Sequence, residues 1–154
     1  MRAAAPADAR TLPTLPSAPL QPEFATLVDD ACASLPALLG DALDSLYVYG
    51  SVARGTARLG RSDLDLALIL SRPLTAPEVT ALAQLRTDLQ VRHPVVTKID
   101  FDSGQRAEVL APQQLNAWAY WLKHECRCLV GDDLGARFAP FTPSRALAVA
   151  INGD

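Results

Sequence analysis

The sequence predicts an α/β (α+β) fold, and three observations predict it. Residues 22–39 place apolar side chains at three- and four-residue steps, the period of a helix with one buried face. Two short runs rich in branched and aromatic residues, Leu46–Tyr49 and Leu64–Leu70, read as strands. A second helical stripe after Thr75 and a third strand-like run over 95–102 continue the alternation.

Each element has its own justification. Residues 1–20 are rich in Ala and Pro without hydrophobic periodicity, and they read as a flexible tail ahead of one domain, 21–154. In the first helix, Phe24, Leu27, Val28, Ala31, Leu35 and Leu38 form the stripe. Pro22 suits its first turn and Gly40 its end, while Pro36 predicts a kinked or separate last turn. The strand ending at Tyr49 stops at Gly50-Ser51, and a short helix is expected over about 51–56. The strand from Leu64 ends at Ser71-Arg72-Pro73. Thr75-Ala76-Pro77-Glu78 then has the form of a capping box, with Val79, Leu82, Leu85 and Leu89 as the core-facing stripe. His93-Pro94 breaks the chain before the third strand. A helix from Pro112 to about Arg127, a strand near 126–130 and a helix over 144–151 capped by Ser144 complete the chain.

The chemistry concentrates between Leu46 and Leu70. Strand side chains alternate faces, so Asp63 and Asp65 point one way while Leu64 and Leu66 point into the core. Two carboxylates on one face, about 7 Å apart along the strand, repel each other and invite a cation between them. Hard divalent ions such as Mg²⁺ take oxygen ligands of this kind, together with substrate phosphates. Gly50 and Ser51 supply a small turn that a phosphate can approach closely, with a hydroxyl and backbone N–H groups as donors. Arg54, Arg58 and Arg61 are surface charges or contacts to a phosphate or carboxylate, with Arg54, nearest that turn, preferred, and Ser62 is a further phosphate-binding candidate. In the third strand, Lys98, Asp100 and Asp102 share a face opposite Ile99 and Phe101.

Tyr49-Gly50-Ser51, eleven intervening residues, then Asp63-Leu64-Asp65-Leu66 resembles the signature of the DNA polymerase β-like nucleotidyltransferase superfamily. The fuller string GSVARGTARLGRSDLDL is similar to its minimal and aminoglycoside-type members. The resemblance implies a small mixed β-sheet with helices packed mainly on one face. It implies an enzyme that moves a nucleoside monophosphate, AMP from ATP, to an acceptor hydroxyl and releases pyrophosphate with two Mg²⁺ ions. Asp63 and Asp65 become catalytic metal ligands, and Gly50 and Ser51 phosphate binders. A third carboxylate is expected on the following strand, with Asp100 the first choice and Asp102 the second. The acceptor is a small molecule or a hydroxyl on a protein, as in minimal nucleotidyltransferase antitoxins that modify a partner toxin. A homodimer that completes the acceptor site, and a non-catalytic nucleotide-binding module, are the other readings.

Composition sets the outer bounds. A net charge of −3 argues against a protein that tracks extended nucleic acid, which needs a basic stripe. The apolar runs are too short for a membrane span. Three cysteines, an odd number, predict reduced thiols and a cytoplasmic setting. His124, Cys126 and Cys128 raise a zinc site, but their spacing is tight and a fourth ligand is not evident, so cysteines packed against the sheet are the plainer reading. Trp118, Tyr120 and Trp121 could stack on a base or fill core. No Gly-Lys-Ser or Gly-Lys-Thr phosphate loop is present.

Overall fold

A computed structural model of the chain describes residues 10–152. Four strands form one mixed sheet in the order β3-β2-β1-β4. They are β1 (Leu43–Tyr49), β2 (Leu64–Leu70), β3 (Ile99–Gln105) and β4 (Cys126–Gly131). β1 runs antiparallel to β2 and β4, and β2 runs parallel to β3. Among the described residues six α-helices accompany the sheet: α1 (Pro22–Leu39), α2 (Gly50–Arg54), α3 (Ala76–Arg92), α4 (Arg106–Val109), α5 (Tyr120–His124) and α6 (Arg145–Asn152). None is long and apolar enough to cross a membrane.

The two long helices, α1 and α3, lie on one face of the sheet. Phe24, Leu27, Ala31 and Leu35 of α1 meet Leu46 and Val48 of β1 and the even-numbered leucines of β2. The opposite face is smaller: Tyr47, Ala67 and Ile69 pack under Val109, Leu122 and Leu134. β2 is therefore covered on both sides, which explains why its sequence runs on as Ala67-Leu68-Ile69-Leu70 instead of alternating. Each large side chain buried this way contributes about 1.5–3 kcal/mol to folding.

Several elements differ from expectation for local reasons. α1 runs unbroken to Leu39 although Pro36 lies inside it. That proline sits in the last turn, where Leu39 is buried and the Gly40 N–H bonds the Pro36 carbonyl. The capping box of α3 is complete, with Thr75 and Glu78 satisfying each other's backbone N–H groups, but only Leu82, Leu85 and Leu89 face the core; Val79 is exposed. β3 starts at Ile99 because residues 95–97 are bonded to the signature loop: Gly60 N–H to the Val95 carbonyl and Thr97 N–H to the Ser62 carbonyl. The expected helix from Pro112 is three pieces: a 3₁₀ turn (Pro112–Gln114), a π-helical turn (Leu115–Ala119) and α5. The wide turn seats Trp118 against Gly104 of β3, where a Cβ would overlap the indole.

Residues 10–20, expected to trail as part of a flexible tail, are bonded to the body. Leu12 N–H donates to the Phe141 carbonyl at 2.7 Å, and Arg127 donates to the Ala18 carbonyl at 2.6 Å. His124 joins both ends of the chain: Nδ1 donates to the Pro13 carbonyl at 2.8 Å, and Nε2 accepts from Phe141 N–H at 2.9 Å. Residues 1–9 of that tail lie outside the described residues.

Candidate active site

The strand pairing builds the acidic cluster. Leu64 and Leu66 are anchored under α1 and α3, so Asp65 between them must face the other way. In the ladders it lies opposite Tyr49 of β1 and Asp100 of β3. Asp63 precedes the strand by one residue and points the same way. Carboxylate oxygens of Asp63, Asp65 and Asp100 lie within 4.8 Å of one another. Asp102, the alternative third carboxylate, pairs in register with Ala67 and accepts a hydrogen bond from the Tyr49 hydroxyl at 2.7 Å. Among the described residues the acidic group that could hold a metal contains Asp100 and not Asp102.

Crowding three carboxylates has an electrostatic cost. Burial pushes the Asp65 carboxyl above its ordinary pKa, and the charges of Asp100 and Asp63 add to the shift. Two neighbours, which the sequence reading did not assign to the site, relieve it. The Thr97 hydroxyl donates to Asp63 Oδ1 at 2.5 Å. The Lys98 ammonium lies 3.5 Å from Asp100 Oδ2 and 3.8 Å from Asp63 Oδ2. Strand alternation already put Lys98 on the Asp100 face; what the sequence lacked was the register that sets it beside Asp63. The donor set is hard oxygen throughout, at the spacing of a shared cation, and it fits Mg²⁺. Lys98 competes for that position. Lys98→Met is expected to tighten Mn²⁺ binding without nucleotide roughly threefold to tenfold, by removing a nearby positive charge. Calorimetry on the two proteins measures it, and equal affinities would mean that the lysine stands clear of the ion.

The phosphate side is formed by the β1–α2 turn. Gly50 has φ +75°, and a Cβ there would overlap Asp65 Oδ2, so the turn and the carboxylate are in direct contact. Ser51 is half-buried in the first turn of α2, where Val52 and Ala53 anchor the helix in the core. Arg54 closes that helix, exposed, with no ion pair among the described residues. Ser62 is committed to the loop: its hydroxyl accepts the Arg58 N–H at 2.8 Å. The structure thus brings Gly50, Asp63, Asp65 and Asp100 together, with Ser51 adjoining Gly50, and places Arg54 and Ser62 at the borders.

The zinc reading finds no support. Both ring nitrogens of His124 are engaged, and burial pushes the Cys126 thiol far up and the Cys128 thiol to about 11. Among the described residues the group placed to hold a metal is Asp63, Asp65 and Asp100, and it includes none of His124, Cys126 and Cys128.

Comparison with known proteins adds a family. Residues 35–110 match the family described as nucleotidyltransferase domain. No curated protein matches the chain by sequence. Among solved structures, the chain is similar to a toxin–antitoxin with AMP-PNP at 20% identity, covering 69% of this chain and 77% of that one, with a TM-score of 0.45. It is similar to a mutant of the toxin–antitoxin MntA–HpeT at 19% identity, covering 79% and 83%, with a TM-score of 0.44. It is also similar to the spectinomycin adenyltransferase AAD(9) from Enterococcus faecialis, solved with ATP and spectinomycin, at 14% identity, covering 77% and 60%, with a TM-score of 0.47. Residues 35–110, which match the nucleotidyltransferase domain family, hold the Gly50-Ser51 turn and all three clustered carboxylates.

Proposed function

We propose that the protein transfers AMP from ATP to an acceptor hydroxyl and releases pyrophosphate. The observation that carries this reading is the cluster of Asp63, Asp65 and Asp100 in direct contact with the Gly50 turn. Asp63, Asp65 and Asp100 would hold two Mg²⁺ ions. When bound, such ions would supply positive charge that neutralises the charge developing on the attacking and leaving oxygens. The chain's own residues do the rest. The amides and hydroxyl of Gly50-Ser51 hold the outer phosphates, so that the α-phosphorus lies over the carboxylates. Arg54 reaches the same phosphates from the end of α2, and Ser62 keeps the loop that carries Asp63 in place. Asp100 accepts the proton of the acceptor hydroxyl as its oxygen bonds to phosphorus and the bond to pyrophosphate breaks. Rate enhancement comes from positioning and electrostatics, with no covalent enzyme intermediate.

The deciding experiment incubates the full chain with α-labelled ATP, Mg²⁺ and either a panel of hydroxylated small molecules or a cell lysate. Asp63→Ala with Asp65→Ala is the control. Label transferred by the natural sequence and not by the variant is the expected result. Absence of transfer with ATP still bound would favour a non-catalytic binding module. Absence of both would overturn the reading.

A further inference from the structure

A cavity adjoins the acidic cluster and takes no part in the chemistry above. It holds about 570 Å³, within the range of ligand sites; Trp118, Tyr120 and Trp121 form its aromatic wall, and Asp102 and Glu125 line it together with the neutral Gln114 and Asn116. Each of its carboxylates is held by a tyrosine: Tyr49 donates to Asp102 at 2.7 Å and Tyr120 to Glu125 at 3.0 Å. Neither carboxylate has an ion-pair partner among the described residues, and no Lys, Arg or His lines the cavity. Trp121 packs edge-on against both Tyr49 and Trp118, at ring separations of 4.7 and 5.4 Å, so the walls are braced.

Two oriented carboxylates among aromatic faces are complementary to an organic cation. Carboxylates pair with it, and the indoles attract it through their ring quadrupoles. Guanidinium suits the arrangement better than ammonium, because it is planar, stacks on rings and binds carboxylates through a fork of N–H groups. Ile151, on the cavity wall, is about half exposed at 48%. Arginine is one of the side chains that most often anchor a protein–protein contact by filling a pocket.

From this we infer that the cavity receives an arginine side chain of a partner protein. The inference deepens the transfer reading, on which its catalytic meaning rests. Asp102 lies two residues from Asp100 on the same face of β3, about 7 Å along the strand. A protein anchored by arginine at Asp102 presents a neighbouring hydroxyl to the clustered carboxylates, so the acceptor is a protein.

The chain's two tryptophans both line the cavity, so its tryptophan fluorescence reports occupancy. The test titrates the full chain to millimolar concentration with an acetylated, amidated peptide Ser-Gly-Arg-Gly-Ser, with its citrulline twin, and with spermidine. A saturable response to the arginine peptide, weakened at least tenfold in Asp102→Asn with Glu125→Gln, is expected. The citrulline twin should give none, and the variant should keep its thermal melt. Equal response to citrulline, arginine binding retained by the variant, a response to spermidine alone, or no response to any probe would each overturn the inference. Asp63→Ala with Asp65→Ala should bind the peptide normally, which separates failure of this inference from failure of the transfer reading.

Discussion

Asp65→Asn is expected to lower nucleotidyl transfer by about a thousandfold, the scale for removing a principal electrostatic group, and yet to give a more stable protein. Asp65 is the most crowded of the three carboxylates: burial, Asp100 and Asp63 all raise its pKa. A carboxyl whose pKa is raised by folding disfavours the folded state wherever it is ionised, at pH values above its folded pKa. That cost disappears as pH falls below the ordinary carboxylate range of about 4. The amide is isosteric and uncharged. Because Asp65 keeps substantial contact with solvent, screening limits the gain to the order of 1 kcal/mol, or roughly 2–4 °C in melting temperature for a domain of this size. Melts at neutral pH should show that gain, and melts near pH 3 should show none. Mg²⁺ should raise the melting temperature of the natural protein more than that of the variant. A variant that melts lower at neutral pH would mean that Lys98 and Thr97 already compensate the crowding fully.

This opposition between stability and chemistry explains what was legible in the sequence. Asp63 and Asp65 stood out because one acidic residue directly precedes, and the other interrupts, a strand that is otherwise apolar, and such a break in pattern needs a compensating function. The helix boundaries at Pro22 and Thr75 were legible for a different reason: each has its own local signal, a proline in the first turn or a capping box. Asp100 could be preferred over Asp102 but not chosen outright, since both share one face of β3. The choice depends on the parallel register that sets Asp100 against Asp65 and Asp102 against Ala67. Register is a long-range property, and no residue within 95–105 encodes it alone. The contacts of residues 10–20 were not legible for the same reason. Their bonds go to His124, Arg127 and Phe141, more than a hundred residues away, through backbone carbonyls and amides that any sequence offers. The segmented helix at 112–124 likewise depends on Gly104, whose missing side chain makes room for Trp118.

The second large effect is expected at Gly50. Its φ of +75° costs an alanine about 1–2 kcal/mol, and the new methyl would also overlap the Asp65 carboxylate. The carboxylate must then move by a fraction of a bond length or more, and a displacement near 1 Å at a reacting centre can cost about a hundredfold in rate. Gly50→Ala is therefore expected to lose both stability and about two orders of magnitude in transfer. Gly55 separates the two effects. It has φ +77°, yet a Cβ there meets nothing within 4 Å. Gly55→Ala should show a similar drop in melting temperature with turnover close to that of the natural protein. If both alanine variants lost activity equally, backbone strain in α2 would be the cause. If Gly50→Ala alone lost it, the turn acts by holding space for Asp65. Glycine at that position is then required for the placement of the carboxylate, independently of any phosphate that the turn binds.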